Sequence, residues 1–163
     1  MPSRQTRSKD QARPSPEQDW LLLDQQLCFA LYASSLAMTK RYKPLLAPLG
    51  LTYPQYLVML ALWECDGASV STLGQRLQLD SGTLTPLLKR LESNGLIQRR
   101  RSSEDERRVE IFLQPEGRSL KRRAKPIPAQ LACASACSLQ ELSELTQRLH
   151  RLRSELQASD TGR

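Results

Sequence analysis

The sequence is short of several things, and each shortage closes a route. Histidine occurs once, at His150, and cysteine four times, at Cys28, Cys65, Cys133 and Cys137. One histidine and no C-x-x-C pair leave no ordinary zinc ligand set, and four cysteines in 163 residues make no disulfide scaffold. Aromatics are only 5% of the chain, which argues against stacking of single-stranded bases. No apolar run approaches the ~20 residues that span a bilayer. The opening "MPSRQTRSKDQARPSPEQD" has charges with no apolar stretch behind them, unlike a secretory signal. The expectation is a cytoplasmic protein with reduced thiols, needing neither metal nor cofactor and having no membrane partner.

What is present is positive charge. Twenty-four Lys and Arg against 17 Asp and Glu give +7, which favours a polyanionic partner. Twelve of the cations fall between Lys89 and Lys125, among only six acids. A charge run is usually a solvated face, so its place in the fold matters.

Residues 1–18 are polar and proline-bearing and read as a disordered arm. A helix is expected from Trp20 to Tyr42, interrupted by "PLLAPLGLTYPQ", so that residues 19–52 form one segment. A second helix, "YPQYLVMLALWEC", carries Pro54 in its first turn and ends at Gly67. Ser69 or Ser71 caps a short helix with Leu73 and Leu77, and Asp80 or Ser81 caps the next, with Leu84, Leu87, Leu88 and Leu91. Pro86 lies deep enough in that helix to predict a local distortion. "LIQRRR" and "RRVEIFL" alternate as two strands around a polar tip, "SSEDE". Helix resumes at Gly117, is broken or kinked at Pro126 and Pro128, and returns from Ser138 to about Leu156. The last helix bears a leucine stripe (Leu139, Leu142, Leu145, Leu149, Leu152, Leu156) that serves either as core or as a dimer interface.

The order helix, short helix, capped helix, strand, turn, strand is a winged helix-turn-helix. The fold class is therefore mainly α with a small β-hairpin wing, with a lobe over residues 53–116 and C-terminal helices over 117–163. In such a lobe the start of the second helix of the turn enters the major groove. That assigns Ser81, Gly82, Thr83 and Thr85 to base edges, with Lys89 and Arg90 further along for bases or phosphates. Arg107 or Arg108 on the hairpin is long enough to enter a minor groove. Asp105 either holds the Arg107 guanidinium in a fixed pose or simply forms the turn.

The remaining question is Cys28, in "DQQLCFALY". A lone cysteine on an apolar helix is ordinarily a small core side chain. At 100° per residue, Tyr32 lies one turn away and about 40° to one side, where it can touch the sulfur. Tyr42 lies about 40° to the other side but roughly 21 Å along a straight helix. It reaches Cys28 only across an antiparallel dimer or if the helix folds back, and the same holds for Tyr53. Phenol hydroxyls donating to a thiolate favour its ionised form in apolar surroundings without adding charge.

"TYPQYLVMLALWE", "STLGQRL", "LDSGTLTPLLKRLESNGLIQRRR" and "DERRVEIFL" resemble the MarR family of dimeric winged-helix repressors, from about residue 20 to the last helix. "DQQLCFALYASSLAMTKRYKPLL…LGLTYPQY" is similar to its organic hydroperoxide-sensing branch, the OhrR type, of the two-cysteine kind. The resemblance implies a homodimer built from N- and C-terminal helices, a palindromic double-stranded DNA operator, and a wing in which Asp105 and Arg107 clamp DNA. It also implies that Cys28 is the peroxidatic residue, ringed by Tyr32 and by Tyr42 and Tyr53 of the partner subunit. Cys133 would be the resolving cysteine and Cys137 the alternative; the two would share a face if their segment is helical. Cys65, beside Trp63, matches nothing in the branch and is expected to be inert. Oxidation to a sulfenic acid, then to an intersubunit disulfide, would release the operator. Three other readings stay in view: a repressor released by a noncovalent phenolic ligand, a thiol peroxidase, and an architectural DNA-binding protein.

Overall fold

A computed structural model describes residues 21–160 apart from positions 104, 106 and 136, so the expected N-terminal arm lies outside the described residues. The chain divides into two compact units that meet between Ala37 and Met38. The first holds a 3-10 turn, Leu23–Gln25, and the first half of helix α1, Leu27–Leu46. The expected start at Trp20 is too early: the backbone at Leu22 and Gln26 is extended, with ψ of 132° and 117°. The expected stop at Tyr42 is too early as well. Pro44 lies within the last turn, where it costs one bond to the carbonyl of Lys40, an exposed residue, and the helix continues. The chain turns after Ala47–Leu49, a 3-10 turn, at Gly50, whose φ is +67°. There the Leu51 N–H reaches back to the Leu46 carbonyl at 3.3 Å and the Gly50 N–H to Ala47 at 3.0 Å, closing the helix.

Helix α2, Tyr53–Glu64, begins where the Gln55 side chain turns back to accept the Thr52 N–H at 2.9 Å. It buries residues on nearly every side (Tyr56, Val58, Met59, Ala61, Leu62), as a central helix must. Strand β1, Ala68–Ser69, leads into α3, Val70–Leu77, capped by Ser69 Oγ on the Thr72 N–H at 3.1 Å. The turn to α4, Ser81–Ser93, is closed by the Leu79 N–H on the Gly74 carbonyl at 2.9 Å. A Cβ on Gly74 would lie 2.9 Å from the Leu79 carbonyl oxygen, so this turn needs glycine there. Asp80 caps α4, accepting the Thr83 N–H at 2.8 Å and the Thr83 hydroxyl at 2.9 Å. These hydrogen bonds, the backbone one foremost, hold the Asp80 carboxyl below the usual carboxylate range. The distortion expected at Pro86 is absent, and α4 runs unbroken through it. The bond that proline forfeits is to the carbonyl of Gly82, an exposed residue in the first turn.

Strands β2, Ile97–Arg101, and β3, Val109–Leu113, pair antiparallel in the register Ile97↔Leu113, Arg99↔Ile111 and Arg101↔Val109. The sheet has three strands rather than the two expected, in the order β1-β3-β2. A two-residue strand such as β1 has no alternation to read. Helix α5 spans Pro115–Ala124, starting at Pro115 rather than Gly117 because proline suits the first helical position. Gly117 lies so close to the Leu96 carbonyl that any side chain there would collide with backbone. Helix α6, Ile127–Ser135, follows a break at Lys125–Pro126, and α7 spans Leu139–Asp160, with Ser138 and Glu141 capping reciprocally at 2.8 and 3.2 Å.

The second unit has one core. Leu46, Val58, Met59, Leu62, Leu73, Leu84, Leu88, Leu91, Ile97, Ile111 and Leu120 are all at most 2% exposed. The α7 leucine stripe is not part of it: Leu139, Leu145 and Leu156 are 69%, 54% and 62% exposed. Of the two readings of that stripe, core is excluded within one chain. No single described helix is long and apolar enough to cross a membrane.

Candidate nucleic-acid interface and thiol site

The capped start of α4 and the hairpin open onto one cleft of about 610 Å³. Ser81 and Thr85 of α4 line it, with Ser71 and Gln75 of α3 and with Arg99, Arg107 and Arg108 of the wing. The helix-turn-helix and the wing thus bring hydroxyls, an amide and three guanidinium groups to one concavity. Gly82 and Thr83 are exposed on the first turn of α4, and Lys89 and Arg90 are exposed further along it, outside the cleft. Arg107 and Arg108 are exposed at the wing, where the Ser102 N–H meets the Arg108 carbonyl at 2.9 Å.

Asp105 does not hold the Arg107 guanidinium. Its Oδ1 accepts the Arg107 backbone N–H at 2.9 Å, and among the described residues no ion pair joins the two side chains. An aspartate two residues before the N–H it caps is set for a turn, which leaves the arginine side chain free to extend.

The lobe is tied to α5 at one junction. The Trp63 indole N–H donates to the Gly117 carbonyl at 2.8 Å, and Lys121 Nζ to the Trp63 carbonyl at 2.9 Å. Asp66 accepts the Leu113 N–H at 2.7 Å on one oxygen and pairs with Arg118 at 2.8 Å on the other. This junction leaves no local pattern in the sequence, because its partners stand 47 to 58 residues apart.

Tyr42 and Tyr53 lie together in the second unit, with ring centroids 4.7 Å apart. A third ring missing from the sequence reading, Tyr56, lies 5.8 Å from Tyr42 and packs edge-on to Trp63 at 6.2 Å. Its signal was available: Tyr56 follows Tyr53 by three residues, one turn along α2. Burial, reinforced by Tyr53 and Tyr56, pushes the Tyr42 hydroxyl up to about 12. Burial raises Tyr53 and Tyr56 too. The group therefore keeps its protons, and remains a set of donors, through neutral and moderately alkaline solution.

The thiols are placed differently from a core role. Cys28 is exposed on α1, as are its neighbours Leu27, Leu31 and Tyr32 at 56%, 37% and 61%. No hydrogen bond joins Tyr32 to Cys28 among the described residues. Cys65, Cys133 and Cys137 are exposed as well. Cys133 lies on α6, but that helix ends at Ser135, and the Cys137 thiol turns to the Ser135 carbonyl at 3.5 Å. The two therefore do not share a helical face. No group of three or more His, Cys, Asp or Glu among the described residues could hold a metal.

Known proteins bear on this arrangement. The family described as transcriptional regulator SarA/Rot matches residues 40–124. An organic hydroperoxide resistance transcriptional regulator of Bacillus subtilis (strain 168) is 52% identical over 134 residues, 82% of this chain and 91% of that one. The fold matches AbfR, a protein of Staphylococcus epidermidis, in two solved states. Reduced AbfR bound to DNA aligns with a TM-score of 0.68 at 34% identity, covering 82% of this chain and 94% of the other. Disulfide-formed AbfR aligns with a TM-score of 0.58 at 38% identity, covering 80% and 91%. The hydroxyl-and-arginine cleft, the wing and the matched span agree on one assignment: the chain belongs to the MarR and SarA/Rot type of winged-helix transcriptional regulators, in the branch of the organic hydroperoxide resistance regulators.

Proposed function

We propose that the chain acts as a homodimeric repressor that binds a palindromic operator in double-stranded DNA and releases it when an organic hydroperoxide oxidises Cys28. The observation that carries this reading is the exposure of Cys28 amid exposed apolar side chains of α1, in a chain that also holds a protonated tyrosine group. The relatives supply the context: one is named for organic hydroperoxide resistance, and another has been solved on DNA and in a disulfide form.

The first step is attack of the Cys28 thiolate on the outer oxygen of the hydroperoxide. The O–O bond breaks, sulfur is oxidised to sulfenic acid, and the alkoxide leaves as the alcohol after taking a proton. Hydroxyls that stay protonated, Tyr42 and Tyr53 of the partner with Tyr32 of the same chain, favour the thiolate beforehand. Cys133 of the partner then displaces the sulfenic hydroxyl as water, leaving an S–S bond, with Cys137 the alternative resolver. Cys133 follows α5 in the chain, and α5 is tied to the lobe through Trp63, Asp66 and Arg118. Drawing the cysteine toward Cys28 therefore pulls on the lobe, and the two recognition helices lose the spacing of successive major grooves. Ser81, Gly82, Thr83 and Thr85 face the bases, with Lys89, Arg90, Arg107 and Arg108 on bases, phosphates and the minor groove.

A gel shift on DNA upstream of the protein's own gene tests this. Organic hydroperoxide should release wild type, dithiothreitol should restore it, and Cys28→Ser should stay bound. Release of Cys28→Ser by peroxide would contradict the reading. Release by a phenol alone would favour the noncovalent alternative, and sustained peroxide consumption with an external reductant would favour the peroxidase.

A further inference from the structure

An ion pair joins the recognition helix α4 to the wing. Glu92, in the last turn of α4, spans to Arg99 on β2 with both carboxylate oxygens. One accepts the Arg99 backbone N–H at 2.9 Å and the other the Arg99 Nε at 2.7 Å. Both side chains are about one third exposed, so the pair is partly shielded from solvent. The Arg99 backbone N–H first, and its guanidinium second, hold the Glu92 carboxyl below the usual range.

The place of this pair gives it consequence. β2 is an edge strand of the sheet, and Arg99 faces Ile111 of β3 across the ladder. Glu92 occupies an N–H that β2 would otherwise leave unpaired. The contact joins the far end of the recognition helix to the base of the wing, across the tight turn at Asn94 and Gly95. Arg99 also lines the cleft with Arg107 and Arg108, so its charge looks suited to a phosphate. The carboxylate holding it makes that use expensive, since contact with DNA would break a two-point charged bond.

From this geometry we infer that Glu92 and Arg99 are positioning residues for DNA binding: a bracket that sets the angle between recognition helix and wing, rather than a phosphate contact. The inference rests on the DNA-binding reading above. It makes a prediction opposite in sign to plain electrostatics. Removing a carboxylate beside a polyanion should tighten binding if charge alone counts. Removing a bracket should weaken it, because Arg107 and Arg108 no longer reach the groove while the helix is seated.

The test is operator affinity at several salt concentrations for Glu92→Ala, Glu92→Gln and Arg99→Gln, with circular dichroism to check folding. Glu92→Ala should bind about ten-fold more weakly than wild type, as expected for loss of a charged two-point bond. Glu92→Gln keeps an acceptor for the Arg99 N–H and should recover part of that loss. Arg99→Gln should weaken binding without changing the salt slope, whereas a lost phosphate contact would lower the slope by about 0.9. If Glu92→Ala unfolds, the other two variants carry the test. Glu92→Ala binding as well as wild type or better, or a reduced slope for Arg99→Gln, overturns the bracket. A wild type that binds no DNA at any salt overturns the DNA-binding reading instead.

Discussion

Two leucine-bearing helices of this chain have the same pattern and opposite fates. α4 places Leu84, Leu88 and Leu91 at three- and four-residue steps, each at most 1% exposed. α7 places Leu139, Leu142, Leu145, Leu149, Leu152 and Leu156 at the same steps; Leu142 and Leu152 are half-buried, and the other four are 36 to 69% exposed. The first half of α1 resembles α7, with Leu27 and Leu36 more than half exposed. The lobe closes on itself; α7 and the start of α1 present apolar faces that the single chain does not cover. Periodicity reports that a helix has an apolar face and is silent on what covers it. Contiguous exposed apolar faces mark an interaction surface, and the homodimer proposed above supplies one.

That contrast can be broken by substitution. Leu88→Ala in the lobe should cost about 3 kcal/mol, read as a shift of the urea midpoint, through lost burial and the cavity left behind. The equivalent change in the stripe, Leu145→Ala, should leave lobe stability within about 0.5 kcal/mol and instead weaken self-association in sedimentation. If Leu145→Ala destabilises as much as Leu88→Ala, the stripe is packed as core. At the cleft, Arg108→Ala should weaken operator binding and lower the salt slope by about 0.9, the mark of one lost phosphate contact.

The smallest effect concerns alkali. Burial raises Tyr42 above the ordinary tyrosine value of 10 to about 12, so the folded chain holds this proton more tightly than the unfolded one. The resulting stability is complete below pH 10 and is lost as pH rises through 12. Titration of tyrosinate absorbance should show a late component that Tyr42→Phe removes, and an unchanged titration in that variant would contradict the assignment.

The sequence made the lobe legible where local chemistry was strong. Asp80 before Ser81-Gly82-Thr83, Asn94-Gly95 after Leu91, and alternation in "VEIFL" located the recognition helix and the wing. It misled where a rule met a tolerant site. Pro44 and Pro86 are prolines inside helices, each forfeiting one bond to a carbonyl at an exposed position, so neither breaks its helix. It was silent where partners are remote: Trp63 with Gly117, Asp66 with Leu113, and the two-residue β1 on Ile111. For the thiols, spacing put Tyr32 one turn from Cys28 and Tyr42 out of its reach along a straight helix, but the end of α6 at Ser135, which parts Cys133 from Cys137, had no local signal.

The central claim is that the thiol and the apolar faces left open in one chain meet across two. Non-reducing electrophoresis after one equivalent of an organic hydroperoxide tests it, using wild type and single serine variants at each cysteine. Wild type, Cys65→Ser and Cys137→Ser should yield a species of twice the chain mass that dithiothreitol dissolves, and Cys28→Ser and Cys133→Ser should not. A cross-link that persists in Cys28→Ser, or oxidised wild type that stays at single-chain mass with an internal disulfide, would contradict the account.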